Sequence, residues 1–396
     1  MLDNAVPRFE PFAGVRYRQT DLSSVVCPPY DVISEPERVS LQAADPHNAV
    51  ALELPVDRPG EDRYRAAAAD LARWLEPGGP LVRDEAPVLT VYRMSYADET
   101  GQPRSTTGVL GALGLQLPGE GDVLPHERTT PKAKSDRLDL LRATSTNLSP
   151  VWGLSLAGGL SLQLGPPSRP PDASARAGGV VHAVWKVPAG SIGEVVASAP
   201  VVIADGHHRY EVALAYQAGH DGPGPWDSVL AYIVELSEEQ LNVAAIHRLI
   251  SGLPGGFDLA GAMERWFEPV GSVAVSAAIT ERMVDAGALA LVTGAGASAT
   301  LLRPRPETVA AATHDLDSSR LDVALAGLPP HELTFQHGVD NVADAVADRR
   351  ADAGVLVRPA TVAQIASVAH ARDRMPPKTT FFTPKPATGL VFRPAG

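Results

Sequence analysis

Apolar and polar positions alternate along this chain in a pattern that predicts a mixed α/β protein. Residues 61–76 carry an apolar stripe at helical spacing and stop at Pro77-Gly78-Gly79. Residues 87–96 and 107–117 read as strands, paired as a hairpin around Asp98-Glu99-Thr100-Gly101-Gln102. A helix is predicted from Ser135 to Ala143, strand over 150–164, and strand again near Val180–Val187. Val201-Val202-Ile203-Ala204 then forms a short apolar run, the pattern of a buried strand, and 210–218 reads as a helix ended by Gly219. Leu230–Leu236 repeats the buried-strand pattern. Residues 279–288 and 360–372 predict two later helices, and 375–385 an extended, proline-stiffened segment. Near the start, Cys27–Ser34 is stiffened by two prolines, and Ser34-Glu35-Pro36-Glu37 has the pattern of a helix start.

Composition narrows the class. The chain has 396 residues, 44% of them hydrophobic and 20% charged, which is enough for about two domains with real cores. Its 35 glycines and 36 prolines predict many turns. A net charge of −12 argues against a dedicated nucleic-acid binder, although a local basic pocket stays compatible with it. The single cysteine, Cys27, excludes an internal disulfide and a thiolate metal cluster, and suits a reducing, cytoplasmic setting. No apolar run approaches the ~20 residues of a spanning helix, and residues 1–11 lack the pattern of a signal peptide, so no membrane partner is expected.

The densest polar cluster follows the strand at 201–204: Asp205-Gly206-His207-His208-Arg209. A strand that turns into a helix gathers backbone N–H groups and the positive end of the helix dipole, which suits an anion. Gly206 allows close backbone approach, His207, His208 and Arg209 add donors, and Asp205 is a candidate helix cap or metal ligand. A phosphate-bearing ligand explains this cluster better than packing does.

Other candidates carry less. Leu289–Ala299 imitates a dinucleotide fingerprint, but the proline-broken stretch after it cannot continue as a helix, so a hairpin with a glycine turn is the better reading. His126-Glu127 offers a carboxylate beside an imidazole, a pair able to act as a base; the bland alternative is an exposed loop. Pro330-His331-Glu332 repeats that pattern. Lys132, Lys134 and Arg137 are either phosphate contacts or a solvated helix face, and Lys378 and Lys385 have the same two readings. Zinc, nucleophile-elbow and P-loop motifs are all missing.

Ile203–Arg209 resembles the phosphate-binding motif of the ParB/sulfiredoxin-like superfamily, most closely the D-G-H-H-R of its free-serine kinases. Pro125-His126-Glu127-Arg128-Thr129 resembles the P-H-E-x-T of the same kinases. Over nearly its whole length the chain is similar to a conserved bacterial family, domain of unknown function 1015, with a SpoOJ/ParB/RepB-like association. That likeness lies at Pro28–Ile33, Asp136-Arg137-Leu138, Asn147–Pro150, Ala204–Tyr210 and Met375–Phe382.

The resemblance implies a ParB/sulfiredoxin-like nucleotide-binding core at 121–250, an N-terminal α/β segment at 1–120, and a C-terminal α/β segment at 251–396. The fold class expected is α/β, with α+β as the alternative. It implies a Mg²⁺-dependent kinase that moves phosphate from ATP or ADP to a hydroxyl, with free L-serine becoming O-phospho-L-serine. Glu127 would be the base, with His126 beside it. Asp205, Gly206, His207, His208 and Arg209 would hold phosphate, and Lys132, Arg137 and Lys378 would add phosphate or substrate contacts. Two rival readings are a ParB-like nucleotide-hydrolysing regulator and a non-enzymatic scaffold. The acidic balance and the lack of a basic helix-turn-helix count against the DNA-clamping form of the first.

Overall fold

The computed structural model describes residues 6–98, 101–125, 134–165, 168–276 and 278–396. Helices and strands are mixed through the chain, and they divide between two compact units. Unit one contains the chain up to Leu241 and its end, Pro384–Gly396; unit two is Asn242–Thr383.

Unit one is built on a nine-stranded sheet. Its order is Val123–Pro125, Val201–Asp205, Val151–Ser155, Ser228–Glu235, Pro103–Gly114, Leu89–Ala97, Val180–Val187 and Ala173–Ala177, with Phe9–Glu10 also pairing Pro103–Gly114. Leu89–Ala97 and Pro103–Gly114 form the predicted hairpin, Ala97 opposite Pro103. Two pairs are parallel, Val201–Asp205 with Val123–Pro125 and Ser228–Glu235 with Val151–Ser155. The first four residues of Val201–Asp205 are buried, as their unbroken apolar run requires of a strand covered on both faces. Val91, Val109, Val151, Val201, Ile203 and Ile233 share one core with Leu160, Val196, Tyr210 and Ala213 from three helices.

One expectation needs correction. Residues 150–164 are not a single strand: Val151–Ser155 is a strand, and Leu160–Leu164 is a short helix. The Glu235 carboxylate accepts from the backbone N–H of Gly159 at 3.2 Å and of Ser161 at 2.7 Å. A residue on a neighbouring strand therefore caps this helix, a tertiary contact that local periodicity cannot reveal.

Unit two carries an antiparallel seven-stranded sheet, ordered Phe267–Ala274, Ser298–Pro304, Leu289–Val292, Ala353–Leu356, Val243–Ser251 and Glu332–His337, with Thr380–Phe382 also on Val243–Ser251. Leu289–Val292 and Ser298–Pro304 pair across a turn in which Gly294 has φ 66° and Gly296 φ 75°. The fingerprint-like stretch is thus a hairpin, as its prolines predict. Among the described residues no helix is long and apolar enough to cross a membrane.

Candidate functional site

Strand Val201–Asp205 ends in a turn at Gly206, and helix His207–Gln217 begins at once. Gly206 has φ 86°, a left-handed conformation that glycine adopts without a Cβ penalty. A Cβ there would lie 2.9 Å from Arg209 Nε, so glycine also makes room for the guanidinium. The helix opens on glycine, which has no side chain to cap it. Asp205 does not cap it, contrary to one sequence expectation, because its carboxylate is drawn to two cations instead. Tyr210 pins the helix to the core: its hydroxyl accepts from Gln116 N at 2.8 Å and donates to Gln116 O at 3.0 Å. Burial pushes the Tyr210 phenol up to about 12, so it stays a neutral donor.

The two cations are Arg209 and Lys385. Arg209 Nη2 donates to Asp205 Oδ2 at 2.6 Å, and Nη1 donates to the Pro150 carbonyl. Lys385 Nζ donates to Asp205 Oδ1 and to Asp31 Oδ2, both at 2.8 Å. Burial works to raise the Asp205 carboxyl, but Arg209 and Lys385 outweigh it and hold the group below its ordinary range. Burial likewise opposes the charge of Lys385, yet Asp205 and Asp31 raise its pKa. Arg209 follows the same logic, with burial outweighed by Asp205, Asp31, Tyr30 and Glu53. The turn therefore carries fixed charges of both signs beside a helix N-terminus.

A small cavity of about 50 Å³ adjoins Arg209, lined also by Tyr30, Glu53, Arg137, Asn147 and Ser149. The Arg137 guanidinium stacks on the Tyr30 ring, 4.6 Å from its centroid, and donates to the Glu53 carbonyl at 2.6 Å. Arg137 also grips Asp136 at 2.6 and 2.9 Å. Glu53 is 2% exposed, and its side chain accepts from Ser149 Oγ at 2.9 Å. Burial raises its carboxyl, and the nearby Arg137 and Arg209 offset only part of that.

The fold thus brings Asp205, Gly206 and Arg209 to one turn, with His207 and His208 half-buried in the first turn of the helix. Arg137 shares the adjoining cavity with Arg209. Lys378 belongs to unit two, where it has φ 58° just before strand Thr380–Phe382. His126, Glu127 and Lys132 lie outside the described residues. Pro125, which precedes them, sits opposite Ile203 in a parallel pairing. Strand Val123–Pro125 therefore ends on the same side of the sheet as strand Val201–Asp205.

Asp31, Tyr30, Glu53, Ser149 and Pro150 carry no individual site signal in the sequence, and Lys385 fits a functional and a structural role equally there. Asp31 and Tyr30 lie in the Pro28–Ile33 motif, and Ser149 and Pro150 in Asn147–Pro150, so those two motifs held the available signal. Glu53 had none. For magnesium, no group of three or more His, Cys, Asp or Glu side chains among the described residues could hold a metal ion. The turn offers one carboxylate, Asp205, and both of its oxygens already accept from cations. The described residues do not fit a metal cage built by the protein.

A family model described as a protein of unknown function, DUF1015, matches residues 9–324. No protein with a curated description matches the chain. Among solved structures, a free serine kinase variant in complex with AMP aligns at TM-score 0.37 and 13% identity, covering 68% of this chain and 89% of that one. A conserved hypothetical protein from Pyrococcus furiosus aligns at TM-score 0.36 and 13% identity, covering 68% and 90%. SbnI with a C-terminal truncation, from Staphylococcus aureus, aligns at TM-score 0.41 and 11% identity, covering 72% and 88%.

Proposed function

The chain belongs to the DUF1015 family of proteins of unknown function, and from that premise we propose that it is a nucleotide-dependent phosphotransferase whose acceptor is a small hydroxyl compound, free L-serine first among them. The observation that carries this reading is the turn at Gly206, where Arg209 and Lys385 converge on Asp205 beside a helix N-terminus. Phosphoryl transfer needs positioning and charge stabilisation more than covalent help from the protein. Backbone N–H groups at 207–209 and the Arg209 fork supply donors for phosphate oxygens. Lys385, shared between Asp205 and Asp31, holds positive charge at the same place.

Glu127 acts as the base in this scheme. It takes the proton of the acceptor hydroxyl as the new O–P bond forms and the bond to the departing nucleotide oxygen breaks. His126, next to it in the sequence, is the second catalytic residue of the scheme. The support is the P-H-E-x-T pattern at Pro125–Thr129 together with the pairing of Pro125 opposite Ile203. Lys132 and Arg137 are proposed as further phosphate or substrate contacts, with ATP or ADP as donor.

The test is product detection. Purified protein is incubated with Mg²⁺, free L-serine and ATP or ADP in turn, and O-phosphoserine is sought by mass spectrometry. Serine-dependent product is expected, with Glu127→Gln slowing turnover about 10²–10⁴-fold while nucleotide still raises the melting temperature. Unchanged turnover in that variant would remove Glu127 from the base role. Neither product nor thermal shift with any nucleotide would sink the phosphotransferase reading.

A further inference from the structure

Unit two has a cavity of its own, about 260 Å³. That is just under the ~300–1,000 Å³ typical of drug-sized ligands and suits a small metabolite. Helix Asp317–Leu325 begins at it, and so does helix Val362–His370, whose start is closed by a capping box of Thr361 and Gln364. Two aspartates, Asp315 and Asp317, and two arginines, Arg320 and Arg358, line it, so its formal charge is balanced. The balance is unevenly spent. Asp317 is taken up by Arg358, which holds it through Nε at 2.9 Å and Nη2 at 2.6 Å, and by Arg320 Nη1 at 3.1 Å.

Arg320 is the incomplete member. Its side chain is 9% exposed, yet its Nε has no hydrogen-bond partner among the described residues. A buried donor left unpaired is costly, and native proteins seldom carry one without a use. The remaining nitrogen, Nη2, is held by Asp315, whose side chain is 78% exposed. The Nε and Nη2 edge of a guanidinium matches a carboxylate in a bidentate pair. An incoming carboxylate on that edge would release Asp315, leaving an uncompensated anion at the rim. A ligand carrying its own cation restores the balance, whereas a simple anion does not. Val284, 57% exposed, also lines the cavity, and Val357 and Pro359 add an apolar wall.

We propose that this cavity is a binding site for a free α-amino acid, its carboxylate on Arg320 and its ammonium on Asp315. The site is independent of the Gly206 turn and does not rest on the phosphotransferase reading.

The whole chain is titrated calorimetrically with a panel of L-amino acids, the matching carboxylates that lack the ammonium group, and inorganic phosphate. At least one amino acid is expected to saturate a single site and to bind about tenfold or more tightly than its carboxylate analogue. Asp315→Asn alters an exposed group, so the fold should persist while amino-acid affinity falls about tenfold and analogue affinity does not. Val284→Trp, which fills the cavity wall without touching an ion pair, should abolish binding. The proposal is overturned if no amino acid binds up to about 10 mM, if phosphate binds better than every amino acid, or if binding is the same in both variants. The last result would place the amino acid elsewhere in the chain.

Discussion

Asp205 and Asp317 stand in similar settings and reach different ends. Each lies at the start of a helix, and each meets an arginine and a second cation. Asp317 is 2% exposed and accepts four hydrogen bonds, three from Arg358 and one from Arg320. Asp205 is 22% exposed and accepts two, one on each oxygen, from residues that are themselves shared with Asp31 and the Pro150 carbonyl. Asp317 is saturated and buried, which makes it a structural keystone of unit two. Asp205 sits at the end of a strand beside a glycine turn, at the place proposed above to hold phosphate. The residue types are nearly the same; saturation and exposure separate their roles.

The largest effect should come from breaking the saturated cluster. Asp317→Ala leaves Arg320 and Arg358 without their shared anion, and removing one partner of a buried pair costs about 3–5 kcal/mol. Asp205→Ala should cost less, about 1–3 kcal/mol, because Lys385 keeps Asp31 and Arg209 keeps the Pro150 carbonyl. Denaturant unfolding of the two variants measures the difference. Equal losses would erase the distinction.

Acid should act on both units through one histidine each. Burial lowers His182 in unit one to about 4, where Tyr92 Oη lies 2.7 Å from its Nδ1. Burial, with Arg248 and His337, lowers His247 in unit two to about 4 as well. Both rings are neutral in the fold and bind a proton more readily once unfolded. Their contribution is therefore full above pH 6.5 and falls as pH drops from 6.5 toward 4, by roughly 3 kcal/mol each. Asp205 works in a lower window. Its folded pKa is depressed, so its stabilisation is present above the ordinary carboxylate value of 3.8 and is lost as pH falls through the folded value. Urea midpoints at pH 7, 5.5 and 4.5 should show the histidine loss, and His182→Gln should flatten it for unit one alone. A stability that is flat over that range would contradict the assignment of both rings.

Gly206→Ala tests the turn itself. The left-handed φ and the 2.9 Å approach to Arg209 Nε predict a cost of about 1–3 kcal/mol and a weaker thermal shift with nucleotide. Gly294→Ala in the hairpin of unit two is the control. Its φ is 66°, but none of the described residues lies within 4 Å of the added Cβ, so about 1–2 kcal/mol and no change in nucleotide response are expected. The smallest effect should be Ser149→Ala, which removes one hydrogen bond to Glu53 and costs about 1 kcal/mol. It should also raise the Glu53 carboxyl further, which carboxylate NMR titration would detect.

Much of the architecture is legible in the sequence. The strand–glycine–helix unit at 201–217, the hairpin of 89–114 and the glycine turn at 293–297 each follow from local periodicity and turn chemistry. The helix at 160–164 was missed because its cap, Glu235, arrives from another strand. The site shows the same division. Asp205–Arg209 is contiguous, so its chemistry is visible as a string. Lys385 joins it from 180 positions away and meets Asp31 across 354.

By itself the sequence determined the mixed α/β class, the Gly206 turn and the candidate anion-binding residues on it. These depend on side-chain period, glycine conformational freedom and helix polarity, all of which act within a few residues. Only the tertiary structure decided that Asp205 is held by Arg209 and Lys385, that Glu53, Tyr30 and Arg137 share a cavity with Arg209, and that Arg320 is buried with an Nε unpaired among the described residues. Charge pairing and desolvation depend on distance in space and on exclusion of water. Neither is set until sheet order and register bring remote segments together.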